Sequence, residues 1–451
     1  MPKVNSFRVG KVSGYLRNHV WYLCYFDNGK RHRPRVGPDL SAARQFAAQV
    51  NGQLAAGAPA ALSFEQVSVP TLRSRWLDHH EHVLRSSVKS IARYRTATDH
   101  LFRFLDTRPV RHAALFHTAH AEAFVRHLRV VKVSPNGHPN TATRPLLDKG
   151  VRFILECCRA MFNYAAKRRH LSPYADNPFA ALDLDRIPVE TSRPVTLLTL
   201  DQERAFLAAC DDWQLPVFVT LLLTGLRPGE LCHLLLPDDL DLAAGVVRVR
   251  NKPRLGWQVK TRNERDVPLV PELTSLLRVH VGDRTSGPVF LRRGWPAVGN
   301  TFSSALIAER ELTRREAERE VVDGAPVSRA DKLRLARRLW REMGAVREER
   351  VREEFIRGAK TAGLAGQTAP KVFRHQFATA LQEGRVDPLV RNLLMGHSAA
   401  GERSAGHGLG MTAVYTHTRP ETVREQLIAA LAGRPASVAA GLWARRRYQS
   451  H

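Results

Sequence analysis

The sequence predicts a mainly α-helical protein with small β elements, of the α+β class. Residues 91–105 and 147–165 repeat apolar side chains at intervals of three and four, which is typical of helices with one buried face. Residues 8–38 and 245–270 instead alternate in polarity between turn residues, a pattern that predicts short strands. Because 451 residues exceed one ordinary domain, two or three domains are expected.

The N-terminal part, residues 1–56, is predicted to form a three-stranded sheet followed by a helix. The turn residues Asp27-Asn28-Gly29 separate two of the strands, and Ser41 is the expected cap of a helix over residues 41–50. The sheet also carries the basic residues Arg17, Lys30, Arg31, Arg33 and Arg35. Such a face either contacts a DNA groove or only keeps the protein soluble, and the residues leave both readings open.

Residues 64–180 are predicted to form a compact helical domain. Besides the two long apolar stripes, a shorter helix is expected over residues 118–128. Lysines and arginines of this domain cluster near loops and helix ends, where they suit contacts with phosphate more than with bases. The stretch 181–197 contains prolines without periodicity and is predicted to connect this domain to the next one.

Residues 198–434 form the third predicted domain. It begins with the capping-box spacing of Thr199 and Gln202, and an almost wholly apolar, buried helix is expected over residues 215–224. The segments VVRVR, WQVKT and RDVPLV, all within residues 245–270, each predict a strand. A charged insertion of two helices braced by ion pairs is expected at about 303–357. Another helix over residues 421–432 is followed by a basic tail, 435–451.

The charge of the chain points to a polyanionic partner, because the net charge is +26 and the isoelectric point is about 10.8. Nucleic acid is the first candidate and an anionic membrane surface is the second. The sequence has neither a long apolar run nor an apolar signal segment, so a soluble intracellular protein is expected. No phosphate-binding glycine loop is present, and the dense histidine cluster His79-His80-x-His82 fits a solvated helix face better than a metal site, so no cofactor is predicted.

Several segments of the third domain carry side chains suited to chemistry on a phosphodiester. Arg227 lies between glycines after the apolar helix, and Lys260 lies in a predicted hairpin. Arg374 and His397 flank an apolar helical segment, and Tyr415 follows them. Guanidiniums can hold phosphate oxygens, an imidazole and an ammonium can exchange protons or hydrogen bonds, and a phenol can serve as the nucleophile.

In this order the segments LLLTGLRPGELCHL, VKTRNERDVPL, FRHQFATAL, LLMGHS and TAVYTH resemble the motifs of the tyrosine recombinases, also called phage integrases. A salt bridge with Glu230 would by itself explain Arg227, but five motifs in one order are not expected by chance. The resemblance implies an integrase-type catalytic domain of helices and β-hairpins in the third domain. It also implies a helical core-binding domain in residues 64–180 and an arm-type DNA-binding domain in residues 1–56.

The resemblance, together with the charges, implies a role for each residue. Arg227 and Arg374 would hold the non-bridging oxygens of the phosphate, and His397 would donate a hydrogen bond to it. Tyr415 would attack the phosphorus while Lys260 protonates the leaving 5′ oxygen, and a 3′-phosphotyrosyl bond would result. That bond keeps the energy needed for rejoining, so neither metal nor ATP would be required.

Two positions depart from the family pattern. Lys371 stands three residues before Arg374, where the family usually has a histidine, and a lysine is a poor proton acceptor. The interval from His397 to Tyr415 is about twice the usual length, and its glycines and serines predict a flexible loop. These departures leave open the alternative that the chain is a catalytically impaired DNA-binding protein of the same fold. A type IB topoisomerase-like enzyme is the other alternative.

The partners expected from this reading are double-stranded DNA and further copies of the chain, as a tetramer on DNA. Leu427, Ile428 and Leu431 offer an apolar face for packing between protomers. An accessory directionality protein is a further expected partner, and no association with a membrane is expected. The expected location is the cytoplasm, in association with the nucleoid.

Overall fold

The computed structural model describes residues 5–27, 29–57, 65–134, 137–138, 140–171, 175–190, 196–295, 304–397 and 418–449. Helices dominate these residues and the strands form small antiparallel sheets, which confirms the predicted mainly α class. The chain divides into an N-terminal unit, Met1–Ser192, and a C-terminal unit, Arg193–His451. The domain boundaries proposed within these units stay predictions.

The N-terminal sheet has five strands where the sequence predicted three. The strands are β1 (Ser6–Val9), β2 (Val12–Arg17), β3 (Val20–Asp27), β4 (Lys30–His32) and β5 (Arg35–Gly37), in the order β1-β2-β3-β4 with β5 also paired to β3. Helix α1 (Leu40–Ala55) covers one face, where Leu23, Tyr25 and Val50 are buried together. Its cap is Asp39 rather than the predicted Ser41, because the Asp39 carboxylate accepts from two backbone N–H groups of the first turn.

The rest of the N-terminal unit is helical, as the apolar stripes predicted. Its helices are α2 (Val69–Asp78), α3 (Val88–Leu105), α4 (Thr118–Val130) and α5 (Asp148–Lys167), with a short ribbon of β6 (Lys132–Val133) and β7 (Arg144–Pro145). Ile91 and Leu101 of one stripe and Leu155 and Met161 of the other are buried in one cluster. The two stripes therefore face each other across the core of this unit.

The C-terminal unit contains the elements that carry the predicted site residues. Its strands are β8 (Leu235–Leu236), β9 (Leu240–Asp241), β10 (Val246–Val249), β11 (Arg265–Pro268) and β12 (Gly287–Pro288). Its helices are α6 (Leu200–Ala208), α7 (Gln214–Thr224), α8 (Pro228–Leu231), α9 (Pro271–Val281), α10 (Ala305–Asp323), α11 (Arg329–Glu342), α12 (Glu348–Thr361), α13 (Lys371–Glu383), α14 (Pro388–Met395), α15 (Pro420–Leu431) and α16 (Pro435–Tyr448). Every residue of α7 is buried, and Thr199 and Gln202 form the predicted capping box of α6.

The hairpin region departs from its prediction in the middle. Strands β10 and β11 pair from Val246–Pro268 to Val249–Arg265, so VVRVR and RDVPLV are strands as predicted. The WQVKT segment is not a strand and forms only one bridge, between Trp257 and Lys252. Its alternating pattern arises because some of its side chains are buried within a loop between the two strands.

The charged insertion was predicted as two helices at about 303–357, but this range also contains the first part of a third helix, α12. The predicted break lies between α10, which is followed by Gly324 with a φ of 64°, and α11. These two helices pack in a small cluster with residues of β8 and of the β10–β11 loop. Helix α12 instead packs in the main cluster of the unit, through Val351, Phe355 and Ala359. The thin apolar stripe of the insertion thus has a definite partner surface.

The C-terminal helices fold onto their own unit. Leu427 and Leu431 of α15 are buried in the main cluster, so they do not provide the exposed packing face expected from the sequence. The basic tail is helix α16, and its Ala436 and Ala440 are buried in the same cluster. No single helix among the described residues is long and apolar enough to cross a membrane, and one pair bent by 91°, α15 with α16, meets that test by length and composition only.

Candidate active site

The first predicted arginine, Arg227, is held by a glutamate of its own turn. Helix α7 ends at Gly225, whose φ of 61° is left-handed and whose α-carbon lies so close to Phe377 that a side chain would not fit. Arg227 follows and caps α8. Its Nη1 donates to Glu230 Oε1 at 2.7 Å, and its backbone N–H donates to Glu230 Oε2 at 3.0 Å. The ordinary explanation, a salt bridge to Glu230, therefore applies to the same residue that the motif singled out.

Glu230 is itself held by a second arginine that the motifs did not identify. Arg265 Nη2 donates to Glu230 Oε2 at 2.7 Å, and both side chains are almost fully buried. Burial would raise the pKa of Glu230, but the hydrogen bond and charge of Arg265 outweigh it and hold that pKa below its ordinary value. Arg265 shares the buried face of β11 with Val267. The spacing of two residues between them was the sequence signal that could have identified Arg265 as buried.

The second predicted arginine, Arg374, joins the first motif to the histidine motif. It lies on α13 and is 7% exposed. Its Nη1 donates to the carbonyl oxygen of Gly225 at 2.6 Å, and its Nη2 donates to that of Met395. Burial, followed by the charge of Arg227, lowers the pKa of Arg374 to about 10, so it still carries its charge near neutral pH. One side chain thus bridges two motifs that are far apart in the sequence.

His397 follows the end of α14 and lies in the field of the arginines. Helix α14 ends at Gly396, whose φ is 63° and whose backbone packs against the Arg265 guanidinium. Partial burial lowers the pKa of His397, and the charges of Arg374 and Arg227 lower it further. The imidazole is therefore neutral at neutral pH and can donate one N–H or accept one proton.

Lys260 belongs to the same neighbourhood through the residue that follows it. Thr261 Oγ1 donates to the carbonyl oxygen of Gly396 at 3.2 Å, which ties the loop of Lys260 to the turn of His397. Val259, on the other side, is buried, whereas Lys260 itself is exposed. The structure therefore brings Arg227, Arg374 and His397 together and places the loop of Lys260 against the turn of His397.

The remaining two predicted site residues are Lys371 and Tyr415. Lys371 is the exposed first residue of α13, one turn before Arg374, and its charge contributes, after burial, to a lowered pKa of His375. The predicted catalytic role of Lys371 stays a prediction. Tyr415 and the glycine-rich interval before it lie outside the described residues.

The site as described carries an excess of positive charge. Arg227, Arg265 and Arg374 surround one carboxylate, that of Glu230. Such an arrangement attracts an anion and can hold its oxygens through guanidinium N–H groups. Among the described residues, no group of three or more His, Cys, Asp or Glu side chains could hold a metal ion.

Comparison with known proteins supplies a family match for the part of the chain that holds this site. Residues 196–421 match the family model described as Phage integrase family. A lambda integrase dimer bound to a COC′ core site is 18% identical, with a TM-score of 0.44, over 85% of this chain and 91% of that one. The Tn1549 transposon integrase in complex with circular intermediate DNA is also 18% identical, with a TM-score of 0.43, over 81% and 99%. A lambda integrase tetramer bound to a Holliday junction is 18% identical, with a TM-score of 0.42, over 85% and 95%.

Proposed function

The chain belongs to the phage integrase family, and we propose that it is a site-specific DNA recombinase that cleaves and rejoins strands through a 3′-phosphotyrosyl intermediate. The observation that carries this proposal is the convergence of Arg227, Arg374, His397 and the loop of Lys260. The hydrogen bonds of Arg374 to the Gly225 and Met395 carbonyl oxygens fix that convergence. Two guanidiniums anchored by protein groups, the buried one of Arg374 and the partly exposed one of Arg227, need no reorganisation when a phosphate binds.

The proposed chemistry assigns one task to each group. The Tyr415 oxygen attacks the phosphorus, and the bond from phosphorus to the 5′ oxygen breaks. Arg227 and Arg374 stabilise the charge that builds on the non-bridging oxygens. The exposed Lys260 protonates the leaving 5′ oxygen, and neutral His397 donates a hydrogen bond to the phosphate. Attack of a 5′ hydroxyl on the phosphotyrosine reverses these steps and rejoins a strand.

Lys371 belongs to the same proposal as a positive donor rather than a proton acceptor. Its place one turn before Arg374 on α13 puts its charge at the same end of the helix. An ammonium there would add to the binding of the DNA phosphate. Proton removal from Tyr415 would then depend on the positive field of the site, which favours the phenolate.

The N-terminal sheet is proposed to bind duplex DNA as an arm-type domain. Helix α1 covers one face of the sheet, and the other face carries Tyr15 stacked on Tyr22 with ring centroids 5.6 Å apart. Arg35 pairs opposite Tyr22, and Arg31 pairs opposite the exposed Phe26. Arginine and aromatic side chains on one open sheet face suit contacts with a DNA groove and its phosphates.

Strand exchange also requires several protomers on the DNA, so we propose a tetramer as the active form. An accessory directionality protein is part of the same proposal, because integration and excision use the same chemistry and something else must choose between them. The proposed location is accordingly the nucleoid of the cytoplasm.

The proposal is tested with a nicked suicide duplex carrying the repeated or inverted core found in the DNA that flanks the gene. The wild-type chain should form a covalent adduct with this duplex, and Tyr415→Phe should form none. Tyr448→Phe is the matched control, because Tyr448 is exposed at the end of α16 and should leave the adduct yield unchanged. An adduct that persists in Tyr415→Phe, or none from the wild type, contradicts the proposal.

A synthetic four-way junction then separates a recombinase from a topoisomerase-like enzyme. A recombinase should resolve the junction into two duplexes while assembled as a tetramer. A monomer that relaxes supercoiled DNA and leaves the junction intact would instead support the topoisomerase alternative. DNA binding without any adduct would support the impaired DNA-binding protein.

A further inference from the structure

We propose that Trp340, in the helical insertion, is a positioning residue that holds the loop of Lys260 in place for protonation of the leaving oxygen. The inference rests on the function proposed above and concerns a segment, α10 and α11, to which that function gives no task. Three sets of contacts carry it. They concern the loop itself, its attachment to the insertion, and a ring stack beside the Arg227 turn.

The loop of Lys260 has little regular structure of its own. The ladder of β10 and β11 ends at the pair Val249–Arg265, and residues 250–264 lie beyond it. Trp257 and Lys252 exchange two backbone hydrogen bonds of 3.0 Å, and Asn251 accepts from the Val259 N–H at 2.9 Å. These bonds shape the loop, but the direction in which it projects must come from contacts with other elements.

The insertion supplies such contacts to the part of the loop that leads to Lys260. Trp340 Nε1 donates to the carbonyl oxygen of Leu255 at 2.9 Å, and both residues are buried in the small cluster of the insertion. Gly256 follows with a φ of 67°, and a β-carbon there would lie 2.8 Å from that of Ala336 on α11. Helix α11 therefore packs directly against the loop backbone, four residues before Lys260.

A stack of aromatic rings continues from Trp340 to the Arg227 turn. His233 lies parallel to Trp257, with centroids 3.9 Å apart and 5° between the planes, and Trp340 meets His233 edge-on at 4.7 Å. His233 Nδ1 donates to the carbonyl oxygen of Gly229 at 2.6 Å. Burial lowers the pKa of His233 to about 4, so the ring stays neutral and keeps this hydrogen bond near neutral pH.

The Arg227 turn and the Lys260 loop, which this stack joins, are held by different bonds. On the Arg227 side, Glu230 fixes the turn through bonds that do not involve the insertion. On the Lys260 side, Trp340 makes the buried bond to Leu255. Loss of this bond would loosen the part of the loop before Lys260, while the bond from Thr261 to Gly396 and the arginines stay in place. A defect at Trp340 should therefore appear in protonation of the leaving group rather than in binding of the phosphate.

The test compares two suicide duplexes of the same sequence, one with the normal 5′ bridging oxygen and one with sulfur at that position. A thiolate leaves without needing a proton, so a variant that has lost only its general acid recovers with sulfur. Trp340→Phe keeps one aromatic ring in the stack and removes the N–H donor together with the second ring of the indole. On the oxygen duplex, we expect it to slow adduct formation about tenfold, and Lys260→Ala about 100-fold or more, within the range of general acid catalysis.

On the sulfur duplex, both variants should react within about threefold of the wild type, because no general acid is needed. Trp443→Phe is the matched control. Trp443 lies on α16, where its Nε1 donates to Asp212 at 3.0 Å, and the variant should match the wild type on both duplexes. Arg227→Ala should stay slow on both, because it removes a phosphate ligand. DNA affinity should be the same for the wild type and Trp340→Phe.

Equal losses on both duplexes, or no loss on either, would overturn the inference for Trp340. Trp340→Ala extends the series if it folds, and Trp340→Phe decides the question if it does not. Failure of the underlying function looks different, because the wild-type chain would then form no adduct with either duplex.

Discussion

Two glutamates in this protein each accept hydrogen bonds from two arginines, yet their surroundings differ. Glu230 binds Arg227 and Arg265 in the candidate site, and Glu311 binds Arg314 and Arg315 on the insertion helix α10. Glu230 and Arg265 are almost wholly buried, whereas Glu311 and Arg315 are 16% and 20% exposed and Arg314 is 58% exposed. The same pairing of residue types therefore lies in the interior at Glu230 and in contact with water at Glu311.

Burial gives the two networks different consequences. In the interior, each charge has lost its hydration, so removing one partner leaves the others unpaired at a large cost. At the surface, water and salt replace a lost partner, and exposed pairs contribute little. The pKa values agree in direction: hydrogen bonds from Arg314 and Arg315 lower that of Glu311 to about 2, and Arg265 lowers that of Glu230 against the effect of burial. A lowered pKa by itself does not distinguish a site network from a solubilising one.

The largest expected difference is in folding stability. Glu230→Ala should lower the free energy of unfolding by about 3–5 kcal/mol, because Arg265 would remain buried without a counter-charge. Glu311→Ala should lower it by no more than about 1 kcal/mol, as for other exposed pairs. Urea denaturation of the full chain measures both. Similar losses in the two variants would show that burial does not separate the networks.

The next difference is in DNA cleavage. Glu230→Gln keeps the shape of the side chain but weakens its hold on Arg227, so adduct formation should slow by about tenfold to 100-fold. The matched variant Glu311→Gln should react at the wild-type rate. Single-turnover kinetics on the suicide duplex measure this. A normal rate in Glu230→Gln would mean that Arg227 does not need its anchor.

A smaller difference is expected in the combined response to acid and salt. Both glutamates have a pKa below the ordinary value, so each stabilises the fold above that value and loses its contribution as the pH falls. For Glu311 the loss runs from about pH 4.5 to about 2. About 0.5 M KCl should reduce the contribution of Glu311 but not that of Glu230, because screening acts mainly on exposed charges. Acid unfolding of both Gln variants at low and high salt checks this, and equal salt effects would refute it.

The smallest effect is expected at the edge of the exposed network. Arg314→Gln should shift neither the thermal unfolding midpoint nor the rate of adduct formation, because Arg315 still pairs with Glu311 and Glu342. Differential scanning calorimetry measures the midpoint. A clear fall in stability would show that the insertion depends on its surface ion pairs rather than on its small apolar cluster.

The motif residues, the helices around them and the pairing of Arg227 with Glu230 could be read from the sequence, whereas the partners of Arg265 and Arg374 could not. Arg227 and Arg374 stand in short segments whose composition is distinctive, and the apolar stripes of α3 and α5 repeat at helical spacing. Arg265 lies in the motif of Lys260 but was given no role there, and its bond to Glu230 joins positions 35 residues apart. The strand predicted at WQVKT was wrong because burial in a loop can imitate strand alternation.

By itself the sequence determined the class of fold, the chemistry available and the order of the segments that carry it. These properties depend on residue identity and on spacing over a few turns, which local periodicity records. Only the tertiary structure decided that Arg374 binds the carbonyl oxygens of Gly225 and Met395, and that Trp340 reaches the loop of Lys260. Partners so far apart in sequence meet only through packing of the whole unit, because a buried donor must find an acceptor wherever the core places one.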